Sequence, residues 1–137
     1  MAVVSGTVKE VLIVRNDDSM PLKEAIVFFS LSGTYAQADN GIVSAVPTAI
    51  AAKLRDGKTV TMKAVSVGQI AKKSASAGWV GMKTVAISSS DITFELTHST
   101  ANSPDATAVD LSTEFTDATA VPAMNGLLGI RVMFTSV

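Results

Sequence analysis

Ile92, Phe94 and Leu96 alternate with Thr93, Glu95 and Thr97. A period of two sends successive side chains to opposite faces of a strand, so residues 91–98 read as a strand with one buried and one wet face. Residues 127–136 repeat the pattern, with Leu128, Ile130, Val132 and Phe134 set against Arg131 and Thr135. That apolar row is almost unbroken, which predicts a strand deep in a sheet. Residues 3–14 alternate more loosely, with Val8, Val11 and Ile13 as the expected anchors. The cluster Asn16-Asp17-Asp18-Ser19, closed by Pro21, marks a turn. Residues 23–32 follow as a second strand with Ile26, Phe28 and Ser30 on one face, and the short polar loop predicts an antiparallel hairpin.

Residues 36–56 change period. Ile42, Val43, Val46, Ala49, Ile50 and Leu54 fall at spacings of three and four, with Asp39 or Asn40 available as a cap. Pro47 removes a backbone donor and disfavours helical geometry at Val46. The pattern therefore predicts either a turn followed by a helix from Pro47 or one kinked helix. Lys53 and Arg55 suit the dipole of its last turn, and Gly57 suits its C′ position. Strand signals resume at 58–67, where Val60, Met62, Ala64 and Ser66 point one way and Thr59, Thr61, Lys63 and Val65 the other. Residues 79–88 form a further strand, separated from 91–98 at Ser88-Ser89-Ser90. The expected fold is α+β and mainly antiparallel β, sandwich- or barrel-like, with one helix near residues 40–56. A single domain over 1–137 accommodates it.

Two stretches stand apart. Gln69–Gly78 reads as a basic loop rich in small residues, and residues 99–126 read as a long polar arm. Within the arm, Asp105-Ala-Thr-Ala-Val109 recurs as Asp117-Ala-Thr-Ala-Val121, which is too few copies for a solenoid. Long uncovered loops in small domains are often functional or ordered by a partner.

Composition narrows the function classes. Hydrophobic residues make up 47% and charged residues 17%, against about 25% charged in a typical domain, so Ala, Ser and Thr supply much of the surface. Such a surface is cheap to desolvate. The net charge of −1 speaks against a nucleic-acid binder driven by bulk electrostatics. Its distribution is uneven: residues 53–83 carry Lys53, Arg55, Lys58, Lys63, Lys72, Lys73 and Lys83 against Asp56 alone. Residues 91–137 carry Asp91, Glu95, Asp105, Asp110, Glu114 and Asp117 against Arg131 alone. A basic middle and an acidic end can meet within one subunit or between neighbours, where complementary charge sets register more than affinity.

The chain has no cysteine, which removes disulfides, thiolate nucleophiles and cysteine-based metal sites. No apolar run approaches the ~20 residues that span a bilayer as a helix, and Met-Ala-Val-Val-Ser-Gly has no basic leader region. An unprocessed protein made in the cytoplasm, with no membrane or nucleic-acid partner, is the expectation.

Candidate chemistry is sparse. His98 is the only histidine, and Glu95 projects from the opposite face of its strand. The segment Gly78-Trp-Val-Gly81-Met-Lys83-Thr84 has Met82 where a phosphate loop needs glycine directly before lysine, and its glycines stand too close. Asp17-Asp18 suits a solvated turn better than a paired-carboxylate site. No catalytic, cofactor or metal residues are predicted. The candidate interface residues are Trp79, the neighbouring Lys72 and Lys73, and the arm positions Asp105, Val109, Asp117 and Val121, since tryptophan is enriched at binding hot spots.

Residues 31–70, LSGTYAQADNGIVSAVPTAIAAKLRDGKTVTMKAVSVGQI, together with the Thr/Ala/Ser-rich flanks and the closing GIRVMFTSV, resemble small structural proteins of tailed bacteriophages. That resemblance implies a virion component, made in the host cytoplasm, that forms a homo-oligomer. It implies a capsid decoration (cement) protein on a major capsid or other virion protein, or alternatively a tail or head–tail connector component. A ligand- or carbohydrate-binding module, built on Trp79 with Tyr35, and an enzyme using His98 are the expectations from other classes.

Overall fold

The computed structural model describes residues 4–35, 40–69, 72–74, 78–98, 113–114, 119–120 and 128–137. The chain runs β1 (Val4–Arg15), β2 (Lys23–Ser32), β3 (Thr34–Tyr35), β4 (Gly41–Val43) and then helix α1 (Val46–Leu54). It continues through β5 (Val60–Gln69), β6 (Lys72–Ser74), β7 (Gly78–Ser88), β8 (Asp91–His98), β9 (Thr113–Glu114), β10 (Thr119–Ala120) and β11 (Leu128–Ser136). The α+β, mainly β expectation holds: nine strands form one sheet ordered β5-β11-β2-β1-β4-β8-β7-β6, with β9 on β8. Every described pairing is antiparallel except β1 with β4. Strands β5 and β7, near the two ends of that order, approach one another, so the sheet curls into a nearly closed barrel.

The β1–β2 hairpin forms as the turn cluster predicts, and the turn itself is tied by Asp17. Its carboxylate accepts from the Ser19 backbone N–H at 2.9 Å and the Ser19 hydroxyl at 2.8 Å. Ile26, Phe28 and Ser30 share one face of β2 as expected, and that face is the outer one. Ala25, Val27 and Phe29 are buried in the core, whereas Ile26 and Phe28 lie on the outer face and are half-buried. Both rows of β2 are apolar, so its own pattern has no preferred parity. Pairing decides it, because Phe29 and Val27 stand opposite Val8 and Val11 of β1 and opposite Leu128 and Ile130 of β11.

A correction falls in β5. Val60 and Met62 are buried, but Ala64 and Ser66 are exposed. The ladder with β11 skips Lys63 between Phe134↔Met62 and Met133↔Ala64. One extra residue in a strand shifts every later side chain to the opposite face. In β8, Ile92, Phe94 and Leu96 are fully buried as predicted, yet Thr97 on the other row is buried too. In β11, Leu128, Ile130, Val132 and Phe134 are buried between β2 and β5, as the unbroken apolar row predicts.

The helix is shorter than the 40–56 expectation. Gly41–Val43 forms β4 between β1 and β8, because its main-chain groups find ladder partners on both sides. Pro47 sits in the first helical turn, so the two-part reading holds. The N-cap residue of the helix is Ala45, which offers no side-chain cap, and of the two expected caps Asp39 lies outside the described residues. The Val46 N–H donates to the Ser90 carbonyl at 3.1 Å and the Ala45 N–H to Asp91 Oδ1 at 3.2 Å, so the β7–β8 turn closes the helix N-terminus. At the other end the left-handed residue is Arg55, at φ 56, whose N–H donates to the Ala51 carbonyl; Gly57 takes a positive φ two residues later.

Val46 and Ile50 drive the helix into the barrel core, against β1, β2 and β5. Phe29 and Phe94 meet inside it with ring centroids 5.7 Å apart. Two glycines make room for these rings. A Cβ on Gly41 would stand 2.5 Å from the Phe94 ring, and one on Gly6 would stand 2.8 Å from Phe29 and 2.6 Å from Val43.

Candidate functional site

The carboxylates nearest to a catalytic arrangement are each engaged locally. Asp91 caps α1, Asp56 accepts from the Lys58 N–H, and Glu95 accepts from the hydroxyl of Thr84. Glu24 holds Arg131 at 2.7 Å and Arg15 at 3.7 Å on the outer sheet face. Asp18 accepts from Lys23 at 2.8 Å and lies 3.3 Å from Lys58, while Lys23, buried at the start of β2, also reaches the Ser136 hydroxyl at 2.7 Å. Both Asp17 and Asp18 are held below the ordinary carboxylate range: Asp17 chiefly by the Ser19 N–H, Asp18 chiefly by the Lys23 ammonium and then Lys58. Among the described residues no three His, Asp or Glu side chains converge as a metal site would require. Nor do the ion pairs among them join the basic middle to the acidic end; Lys58 pairs instead with Asp18.

The predicted interface residues divide. Lys72 and Lys73 lie on β6, and Lys73 stands in register opposite Trp79 on β7. The stretch read as a basic loop therefore contains a strand that brings the dilysine and the tryptophan to one end of the sheet order. Asp105, Val109, Asp117 and Val121 lie outside the described residues. Between the last two, Thr119–Ala120 forms β10 against β3, with Thr119 opposite Tyr35. His98 ends β8 opposite Val80 of β7 and Thr113 of β9.

Two surfaces emerge that sequence reasoning missed. The first is the outer face of the β1–β2–β11 ribbon. Register aligns Leu12 with Ile26 and then Arg131, and Glu10 with Phe28 and then Gly129. Leu12 is 50% exposed and Val14 48%, so apolar side chains stand in solvent between the charged Glu10, Arg15, Glu24 and Arg131. The signal was present in the apolar second row of β2, which has no reason to be apolar if it faces only water.

The second is a groove between β1 and α1. On the side away from β2, β1 pairs with β4 only over Val4–Gly6; beyond that point its edge has no strand partner among the described residues. Helix α1 runs beside that edge and leaves an open groove of about 550 Å³, lined by Val8, Lys9, Glu10, Val11, Ala49, Ala52 and Lys53. Its helix wall is made of alanines, its strand wall of valines, and its rim of Lys9, Glu10 and Lys53. Bulges at Lys9 and Val14 interrupt the β1–β2 ladder on either side of Glu10–Ile13. Neither bulge has a signature in the local sequence, because each is set by the register of the partner strand. No family model, curated protein or solved structure matches this chain.

Proposed function

We propose that this protein is a non-enzymatic assembly protein of a virus particle, a capsid decoration (cement) protein that binds copies of itself and a coat lattice. The observation that carries this reading is the long β1 strand. It exposes Leu12 and Val14 on its face and, beyond Gly6, an edge beside α1 that has no strand partner among the described residues. A curled sheet with an aromatic pair in its core makes a rigid body, and its low-charge surface costs little to desolvate. Asp91 and Asp18, near the fold's turns, are engaged within the fold, which supports a reading in which the protein acts through its surface.

The test is an inventory of particles purified from the native source, combined with light scattering of the isolated protein. The expected result is stoichiometric presence on the shell and a discrete oligomer in solution. A strict monomer absent from every particle fraction would overturn the proposal. Presence confined to tail or connector fractions would move it there, and saturable binding of a sugar or small molecule by a monomer would replace it with a ligand-binding module.

A further inference from the structure

We infer that the outer face of β1 is the contact between two copies of this chain, packed about a two-fold axis that sets Glu10 of each copy against Arg15 of the other across Leu12 and Val14. The inference rests on the assembly reading above and gives its self-association a surface.

The strand presents a row of defined order. Register places Glu10, Leu12 and Arg15 beside Phe28, Ile26 and Glu24, the outer row of β2. The extra residue at Val14 is what keeps Arg15 on that side; without it, Arg15 would turn to the row of Ile13 and Ala25. Leu12 and Val14 are 50% and 48% exposed, and Ile26 and Phe28 beside them are half-buried. The face of β1 thus runs acid, apolar, apolar, base. An apolar centre with a charged rim is the anatomy of a contact surface.

Charge selects the occupant. Glu10 and Arg15 stand roughly 15 Å apart along the strand, beyond the ~8 Å screening length of physiological salt, so they do not neutralise one another within a subunit. Glu10 is exposed, and neither Lys9 nor Lys53 at the groove rim forms an ion pair with it. Arg15 lies 3.7 Å from Glu24, whose carboxylate Arg131 takes at 2.7 Å, and Arg15 Nε is buried with no hydrogen-bond partner among the described residues. Opposite signs at the two ends of one apolar strip are self-complementary. When β1 of a second copy runs antiparallel across the strip, Leu12 meets Leu12 near the axis and the Glu10–Arg15 pair forms twice. Arg131, two strands away on β11, is neutralised by Glu24 within its own subunit.

The experiment uses the full chain with each charge reversed. Glu10→Lys and Arg15→Glu each turn two symmetry-related attractions into repulsions, so each variant alone is expected to self-associate about tenfold more weakly in sedimentation equilibrium. Mixed together they are expected to recover the wild-type constant, because lysine 10 then faces glutamate 15 and the native pair forms at the other end. The double variant Glu10→Arg with Arg15→Glu is expected to pair with itself and not with wild type. The chain has no cysteine, so Leu12→Cys gives a single thiol. A short bis-maleimide linker is expected to join two such chains, and adding Glu10→Lys is expected to suppress the product, which tests the axis even if Arg15→Glu unfolds.

Wild-type association in Glu10→Lys, no recovery on mixing folded variants, or a double variant that pairs with wild type as readily as with itself would each overturn the inference. So would a linked Leu12→Cys product indifferent to Glu10→Lys. A strict monomer that still decorates the particle would sink this contact and leave the assembly reading standing. A charge-dependent dimer absent from every particle fraction would do the reverse.

Discussion

At the residue scale, a few positions carry conformations or spaces that other side chains would change measurably. Arg55 is exposed yet holds a left-handed backbone, which costs an L-residue roughly 1–2 kcal/mol where glycine pays little. Arg55→Gly therefore raises stability by about 0.5–1 kcal/mol after its greater freedom in the unfolded chain is offset, read as a higher urea midpoint at unchanged m-value. The opposite holds at Gly41. Its added methyl would meet the Phe94 ring at 2.5 Å, so Gly41→Ala lowers stability by roughly 1–3 kcal/mol, visible in thermal unfolding. Phe94→Ala removes the ring and leaves a cavity beside Phe29, at a cost of about 3–5 kcal/mol. The glycines were visible in the sequence; the rings that need their space come from strands β2 and β8, so proximity was not.

At the scale of elements, the turn between β1 and β2 is a junction. Asp18 binds Lys23 of β2 and Lys58 before β5, and Lys23 reaches Ser136 at the end of β11, so three strands meet through one exposed carboxylate. The folded-state pKa values of Asp17 and Asp18 lie below the ordinary 3.8. Near that pH the unfolded chain binds more protons than the folded one, so these groups stabilise the fold above the unfolded value. Their contribution is lost as pH falls from about 5 through the folded pKa values. Urea melts between pH 7 and pH 2 are expected to show stability declining on that acid limb, with a shallower decline in Asp18→Asn. An equal slope in the variant would assign the acid sensitivity elsewhere.

The elements themselves were largely legible. The hairpin, β8 and β11 follow from period-two alternation and from turn chemistry between them. What local pattern leaves open shares one cause. In β2 both rows are apolar, and in β5 a bulge at Lys63 intervenes, so parity depended on the partner strands. Strand β4 was absorbed into the helical pattern because Ile42 and Val43 fit a spacing of three and four from Val46, while their actual partners lie in β1 and β8.

For the whole molecule, the sheet curls nearly closed, and β1 presents Leu12 and Val14 on its outer face and, among the described residues, an edge with no strand partner beyond Gly6. Exposed apolar side chains on a long strand are a contact surface or a liability to aggregation. Leu12→Lys combined with Val14→Lys is expected to leave the melting temperature within a few degrees of wild type while weakening self-association in light scattering. Unchanged association would remove this face from the proposed assembly. The candidate interface was only partly readable beforehand: Trp79 and Lys73 are brought into register by β6, whereas the groove is built from residues about forty positions apart.

The sequence alone determined that this chain is a β-rich domain without cysteine chemistry, and where most strands begin and end. Those properties reside in local periodicity, turn residues and composition, which need no knowledge of partners. Tertiary structure decided which row of β2 and β5 faces inward, that a turn some forty-five residues away caps α1, and that a groove opens beside β1. A period of two is symmetric between faces, and hydrogen-bond partners distant in the chain leave no mark on the residues that await them.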